Sequence, residues 1–411
     1  MNFHLVSIVI LEADKKFPTE HLEKSSKLLE FNTMYILNRE ASMTVYDRPI
    51  DERIDWLLDL AHRHTAEFRS PEACLEREHY QAQNPTAIMV LKCMDGRINI
   101  PIVTGTPQGI IQSFRTLGGI FDLGWPHLGE VLENHVHTMV SSGRQVIVFI
   151  TYHFSRGSAK RGCAGFGYDT EAAIAHTKCL KRQAEKIFGA SHTTIYPIIC
   201  GFETDEDALI LHGDNDSSLD LSTIGPEQAS TLDRQISELL PNLSEQMKTD
   251  LLRLAHGNLK WIAQVRKNPR TLDIEHREWM ICLGRGFDFL HTPNLALIIG
   301  PYSPDLADPI RKAAGIIEAN MQSGRIPDDG FLLFASVPYR EIGMDRARAE
   351  LKSRFLANFA TKVIRAEFPQ LIDRMHTKTA TLSWRSRALK VFESEHPICD
   401  CTEKNGQYCS I

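Results

Sequence analysis

The run Ala87-Ile88-Met89-Val90-Leu91 offers no polar residue to either face of a strand, and Val146 to Thr151 is apolar up to its last residue. A strand that is apolar on both faces has to lie inside a sheet covered on both sides. Segments of helical length follow such runs: Leu128 to Val140, stopped by Gly143, and Asp169 to Phe188. Strands alternating with helices of this length specify an α/β fold, a mostly parallel sheet flanked by helices. A further strand is expected around Ile110 to Phe114. With 411 residues the chain has material for more than one such unit, at roughly 150 residues per domain.

Ahead of the first run, residues 17–84 carry helix-like segments, among them Glu52 to Phe68 with Ile54, Leu57, Leu58, Leu60 and Ala61 near a 3.6-residue period. The N-terminal MNFHLVSIVIL is short, lacks a basic flank and is followed by acid, so it reads as a buried strand rather than a signal peptide. No stretch approaches the roughly 20 apolar residues of a membrane span. The net charge of −6 removes any general attraction to nucleic acid or anionic lipid. Nine cysteines, an odd number scattered without a disulfide-like framework, point to a reducing compartment.

The polar stretch 212–227 is expected to be an exposed loop, with helices across 227–267 beyond it. The chain then resembles its own earlier part. Trp279 to Leu283 matches the strand before Cys93, MQSGR at 321–325 matches MVSSGR at 139–144, and FLLFASVPYRE at 331–341 matches VIVFITYHFSR at 146–156. The resulting organisation is a helical N-terminal region (1–84), an α/β domain (85–226), bridging helices with a second, degenerate α/β copy (227–395), and a tail (396–411).

Chemistry concentrates in Lys92-Cys93-Met94-Asp95-Gly96-Arg97, directly after a buried strand, where α/β folds place their ligands. In extended chain Cys93, Asp95 and Arg97 share one face. Arg97 can hold Asp95 ionised and fix one of its oxygens as an acceptor. Alone, Cys93 is equally a buried thiol and Asp95-Gly96 a tight turn. The second strand adds to this: it ends at Tyr152-His153, and after a basic loop (Arg156, Lys160, Arg161) come Gly162-Cys163-Ala164-Gly165. Two thiolates and an imidazole with a fourth position open is a composition known for catalytic zinc.

Taken in order, these blocks resemble the β-class carbonic anhydrases over about 100 residues, from Ala87 to Phe188. That family's Cys-x-Asp-x-Arg looks like Cys93, Asp95 and Arg97. Its Pro-Gly-Asp segment and Arg-Asn-Ala-Gly block look like Pro107-Gln108-Gly109 and Arg115-Thr116-Leu117-Gly118, and its strand-terminal His with a nearby Cys-Gly looks like His153 and Cys163-Ala164-Gly165. The resemblance implies one Zn2+ per chain held by Cys93, His153 and Cys163. It implies Asp95 and Arg97 as the catalytic dyad, and reversible hydration of CO2 to bicarbonate by a zinc-bound hydroxide. Either water or Asp95 itself would be the fourth ligand. The gap of ten residues from His153 to Cys163, the helical leader and the degenerate second half are most similar to the carboxysomal shell branch. A cytoplasmic or microcompartment setting and a homo-oligomer are compatible with that, the second half standing in for a partner subunit as an internal pseudo-dimer.

Alternatives are a carbon disulfide or carbonyl sulfide hydrolase on the same site, a catalytically silent zinc scaffold, and a redox protein with Cys93 activated by Arg97. His176 and Cys179 form a rival ligand pair on one helix face. In the second copy, Gly284, Gly286 and Asp288 are expected opposite Cys93, Asp95 and Arg97, and Pro338 opposite His153, leaving no metal ligand there. His62-x-His64 and His135-x-His137 are expected to be solvated helix residues, Gly118-Gly119 a turn, and His396, Cys399, Cys401 and Cys409 a loosely docked tail.

Overall fold

The computed structural model describes residues 45–392 except 190, 192, 226, 269–273 and 287–293. The expected N-terminal strand, residues 17–44 of the leader, Asp288 and the cysteine-containing tail lie outside the described residues. Among the described residues, the helices α1 (Ile50–Phe68) and α2 (Pro71–Gln83) lead into strand β1. α1 buries Ile54, Leu57, Leu60 and Ala61, and α2 opens on Pro71 with Ser70 accepting from the Ala73 amide. His62 is exposed, but His64 is buried and its ring stacks beside Phe68, so it is a packing residue and not a solvated one.

β1 (Ala87–Cys93) is buried at every position, as the apolar run Ala87 to Leu91 requires, and Lys92 is buried with it. The short helix α3 (Ile100–Val103) leads to β2 (Gln112–Thr116), which starts two residues later than expected. The Ile110 amide closes a turn onto the Pro107 carbonyl and Gly109 adopts φ +89, so Ile110 is still part of the turn. α4 (Pro126–Ser141) stops ahead of Gly143 at φ +76. β3 (Val146–Phe154) runs on past Thr151 and carries His153 inside its last turn of pleat. α5 (Thr170–Phe188) is capped by Asp169, whose carboxylate accepts from the Ala172 amide. β4 (Ile195–Glu203), β5 (Ala208–His212) and β6 (Ser218–Asp220) complete a sheet ordered β2-β1-β3-β4-β5-β6, the last two strands antiparallel. The stretch 212–227 is therefore not simply a loop. Its turn formers close a hairpin that returns Leu219 opposite Leu211.

α6 (Leu232–Leu239) and α7 (Glu245–Lys267) bridge to the second half. There follow β7 (Met280–Leu283), β8 (Ala296–Ile299), α8 (Ala307–Gln322), β9 (Phe331–Tyr339), α9 (Met344–Glu367), β10 (Met375–Ser383) and β11 (Leu389–Phe392). This second sheet is ordered β11-β10-β9-β7-β8, parallel except for β11. Its order and strand directions match those of β1 to β5, with β7 in the place of β1. The ladder register corrects the expected correspondence by one residue. Leu91 pairs with Ile150 and Leu283 with Ala335, so placing Pro338 opposite His153 puts Arg285, not Gly284, opposite Cys93. Arg285 is no metal ligand either.

The core under the first sheet is built from Met89, Leu91, Phe114, Val148 and Ile150 against Leu128, Leu132 and Leu180, and Tyr302 from beyond β8 joins it. His135, expected to be solvated, lies half-buried with its ring edge-on to Phe114. Backbone also joins the halves. The amides of Asn294, Ile298 and Gly300 donate to the carbonyls of Gly96, Met94 and Arg115, each at 2.9 Å. Among the described residues no helix is long and apolar enough to cross a membrane.

Candidate metal centre

β1 and β3 are adjacent and parallel, so their carboxyl ends open on the same side. The paired register ends with Leu91 opposite Ile150, and just beyond it the Cys93 and His153 side chains meet at the sheet's end. Cys163 is brought to them by the loop after β3. That loop is tied down by Asp205, just past β4. Asp205 accepts from Ser155 Oγ at 2.8 Å and from the Gly157 amide at 2.6 Å, and pairs with Arg161 at 3.5 Å. The ten-residue gap thus returns as an anchored excursion. Gly118 and Gly119, both at φ +66, allow its close approach: a Cβ on Gly165 would lie 2.7 Å from Gly118 Cα, and one on Gly119 3.2 Å from the Thr151 carbonyl oxygen. The pair is a turn, as expected, and its lack of side chains is what seats the Cys163 segment against β1.

The donor atoms of Cys93, His153 and Cys163 all lie within 4.8 Å of one another, and all three residues are buried. Neither ring nitrogen of His153 makes a hydrogen bond. A buried imidazole without a partner costs free energy unless something else uses its lone pair, and a metal ion would. The group is able to hold one. Burial pushes the Cys93 thiol well up, while the hydrogen bond from Cys93 lowers Cys163. Both sulfurs would have to bind as thiolates, so a metal ion would displace whatever protons they carry. These directions run against the expectation of a Cys93 thiolate activated by Arg97: burial first, and then the neighbouring Cys163, push the Cys93 thiol up.

Asp95 Oδ1 accepts from the Arg97 amide at 2.9 Å and from Nε at 3.0 Å, and Oδ2 accepts from a terminal nitrogen at 2.6 Å. Oδ2 also lies 3.8 Å from His153 Nδ1. Burial alone would push this carboxyl up; the charge of the Arg97 guanidinium beside it outweighs this and holds it far below the usual carboxylate range. Arg115, buried at the end of β2, donates to the carbonyls of Cys93, Asp95 and Ile98 at 3.3, 2.9 and 2.8 Å and so fixes the loop that bears Asp95.

All five sequence-selected residues converge here. The rival pair does not: Cys179 is exposed on α5, and the His176 ring packs on Phe166 at 5.7 Å. Two residues were missed. His276 and Glu278, just ahead of β7, reach the centre from the second half and form with Asp95 a second cluster of potential ligand atoms. Their spacing puts both on one face of an extended segment, and a Glu followed at once by the apolar run Trp279 to Leu283 is the only local signal they gave.

Fold and site together define an α/β protein with a buried Cys-His-Cys donor set at the carboxyl ends of adjacent parallel strands. No protein-family model matches the chain, and no curated protein does. Among solved structures it is similar to one described as "The structure of the beta-carbonic anhydrase CcaA", at 14% identity and a TM-score of 0.29, over 41% of this chain and 92% of that one.

Proposed function

We propose that this protein is a zinc-dependent carbonic anhydrase that interconverts CO2 and bicarbonate. Cys93, His153 and Cys163 are the ligands in this reading, and Asp95 and Arg97 the catalytic dyad. The observation that carries it is the convergence of the three buried donors with an ionised carboxylate 3.8 Å from the histidine ring. The donor chemistry fits the ion, since sulfur and imidazole ligands select zinc over magnesium or calcium. When bound, zinc would supply the acidification of water that makes a nucleophile available near neutral pH.

The chain's own residues do the rest. Asp95 accepts a hydrogen bond from the attacking water and so fixes the direction of its remaining lone pairs. Arg97 keeps that carboxylate ionised and immobile. The double hold of Arg97 on Asp95 supports the reading in which Asp95 stays on its arginine and the fourth ligand position is left to water. The second sheet, equal in strand order to the first, is read as a degenerate copy that braces the Asp95 loop in place of a partner subunit.

The test is zinc content and CO2 hydration measured side by side. Wild type is expected to carry one zinc per chain and to be active. Cys93→Ser loses the metal. Turnover of carbonyl sulfide or carbon disulfide by a wild type inert towards CO2 would transfer the site to the hydrolase reading, and zinc without any turnover would make it a scaffold.

A further inference from the structure

Arg97 is itself held, and by the other half of the molecule. One terminal nitrogen donates to the Ile274 carbonyl at 2.8 Å; the other faces Asp95 Oδ2 at 2.6 Å, the Arg161 carbonyl at 2.8 Å and His276 Nε2 at 2.9 Å. This nitrogen has two hydrogens for three neighbours, and because a guanidinium can only donate, His276 Nε2 is the acceptor in any hydrogen bond it makes with Arg97. The ring's other nitrogen, Nδ1, lies 3.1 Å from both oxygens of Glu278, which as a carboxylate can only accept. The partners thus assign the tautomer: Nδ1 carries the proton and Nε2 presents a lone pair to Arg97. Glu278 is fully buried. Its carboxyl nevertheless lies below the usual carboxylate range despite that burial.

We infer that His276 and Glu278 are positioning residues for the dyad: Glu278 fixes the His276 ring, and His276 aims the Arg97 guanidinium that holds Asp95. The inference rests on the reading of Asp95 and Arg97 as the catalytic pair. The centre is then completed across the two halves, with Arg161 cornering the guanidinium from the first and Ile274 and His276 from the second. A chain that merely tied the halves together would need no histidine acceptor aimed at this one nitrogen.

The experiment compares wild type, His276→Ala, His276→Gln and Glu278→Gln. We expect zinc content to stay at one per chain in all four. His276→Ala should lower kcat about tenfold or more with KM unchanged, the scale on which residues behind a metal site act. His276→Gln should recover most of the loss, because its side-chain carbonyl can accept from Arg97. An unchanged kcat in His276→Ala, a His276→Gln no better than His276→Ala, or zinc lost from the variants overturns the inference. Nitrogen-15 NMR of the wild-type histidines, with His276 assigned by its absence in His276→Gln, needs neither turnover nor the alanine variant. His276 is expected as the Nδ1–H tautomer, and a proton on Nε2 overturns the inference. A wild type without CO2 hydration that still shows this tautomer would remove the proposed function and leave the contact to Arg97 standing.

Discussion

Asp95 is buried, yet its carboxyl is held far below the usual range by the Arg97 guanidinium that takes both its oxygens. Asp95→Asn keeps the metal, since all three ligands remain, but loses the charged acceptor; CO2 hydration is expected to fall on the order of a hundredfold, and full activity in this variant would remove Asp95 from the mechanism. The pH consequence has a definite sign. A carboxyl held below its unfolded value of about 3.9 contributes stability that is present above that pH and lost as pH falls through the folded value. Arg97→Met removes the largest of the charges that lower it, so the loss begins at higher pH. We expect the acid-unfolding midpoint, followed by circular dichroism, to rise by about one pH unit or more; an unmoved midpoint would mean the pair is not what holds Asp95 ionised. Cys93, Asp95 and Arg97 were legible because alternation in a strand and its exit loop is a local rule, and His153 because it follows an unmistakable apolar strand. The state of Cys93 was not: how far a thiol is pushed up depends on its depth of burial and on the Cys163 sulfur that the fold brings beside it.

At the level of elements, the loop after β1 works because three others press on it. Arg115 of β2 bonds its carbonyls, the Asp205-anchored loop brings Cys163, and the segment around β8 donates to Met94 and Gly96. Gly96 marks the tightest of these approaches, since a Cβ there would sit 2.6 Å from the Ala296 carbonyl oxygen. Ala296 is paired to Met280 and cannot yield without lifting β8 from β7. Gly96→Ala is therefore expected to cost about 1–3 kcal/mol, read as a lowered thermal midpoint, with activity lost in parallel because Asp95 lies next door. Unchanged stability would show that the halves are more loosely joined than these contacts imply. The sequence displays β1, β3, α4 and α5 clearly, for each has a period or a stop signal of its own. It hides β6, a three-residue strand with the single apolar Leu219 between polar neighbours, which becomes a strand only by pairing with β5, and it hides the anchoring of the long loop, because Asp205 lies over 40 residues away in the chain.

For the molecule as a whole, one strand order recurs in two sheets, and the similar blocks at 279–283 and 331–341 fall on β7 and β9, the strands that stand where β1 and β3 stand in the first sheet. Those similarities were visible without coordinates; the exact partner of Cys93 in the second sheet was not, because register slips by single residues leave an apolar pattern intact. Nor could any local signal show that His276 and Glu278 would reach the first sheet's centre, since that contact exists only once the halves dock. Among the described residues the second sheet assembles no Cys-His-Cys set of its own, so metal analysis is expected to return one zinc per chain and not two. The most direct measurement is X-ray absorption at the zinc edge of the purified wild-type protein. Two sulfurs at about 2.3 Å, one imidazole nitrogen at about 2.0–2.1 Å and one further light ligand are predicted; a chain that retains no zinc, or zinc surrounded only by oxygen and nitrogen, would contradict the account.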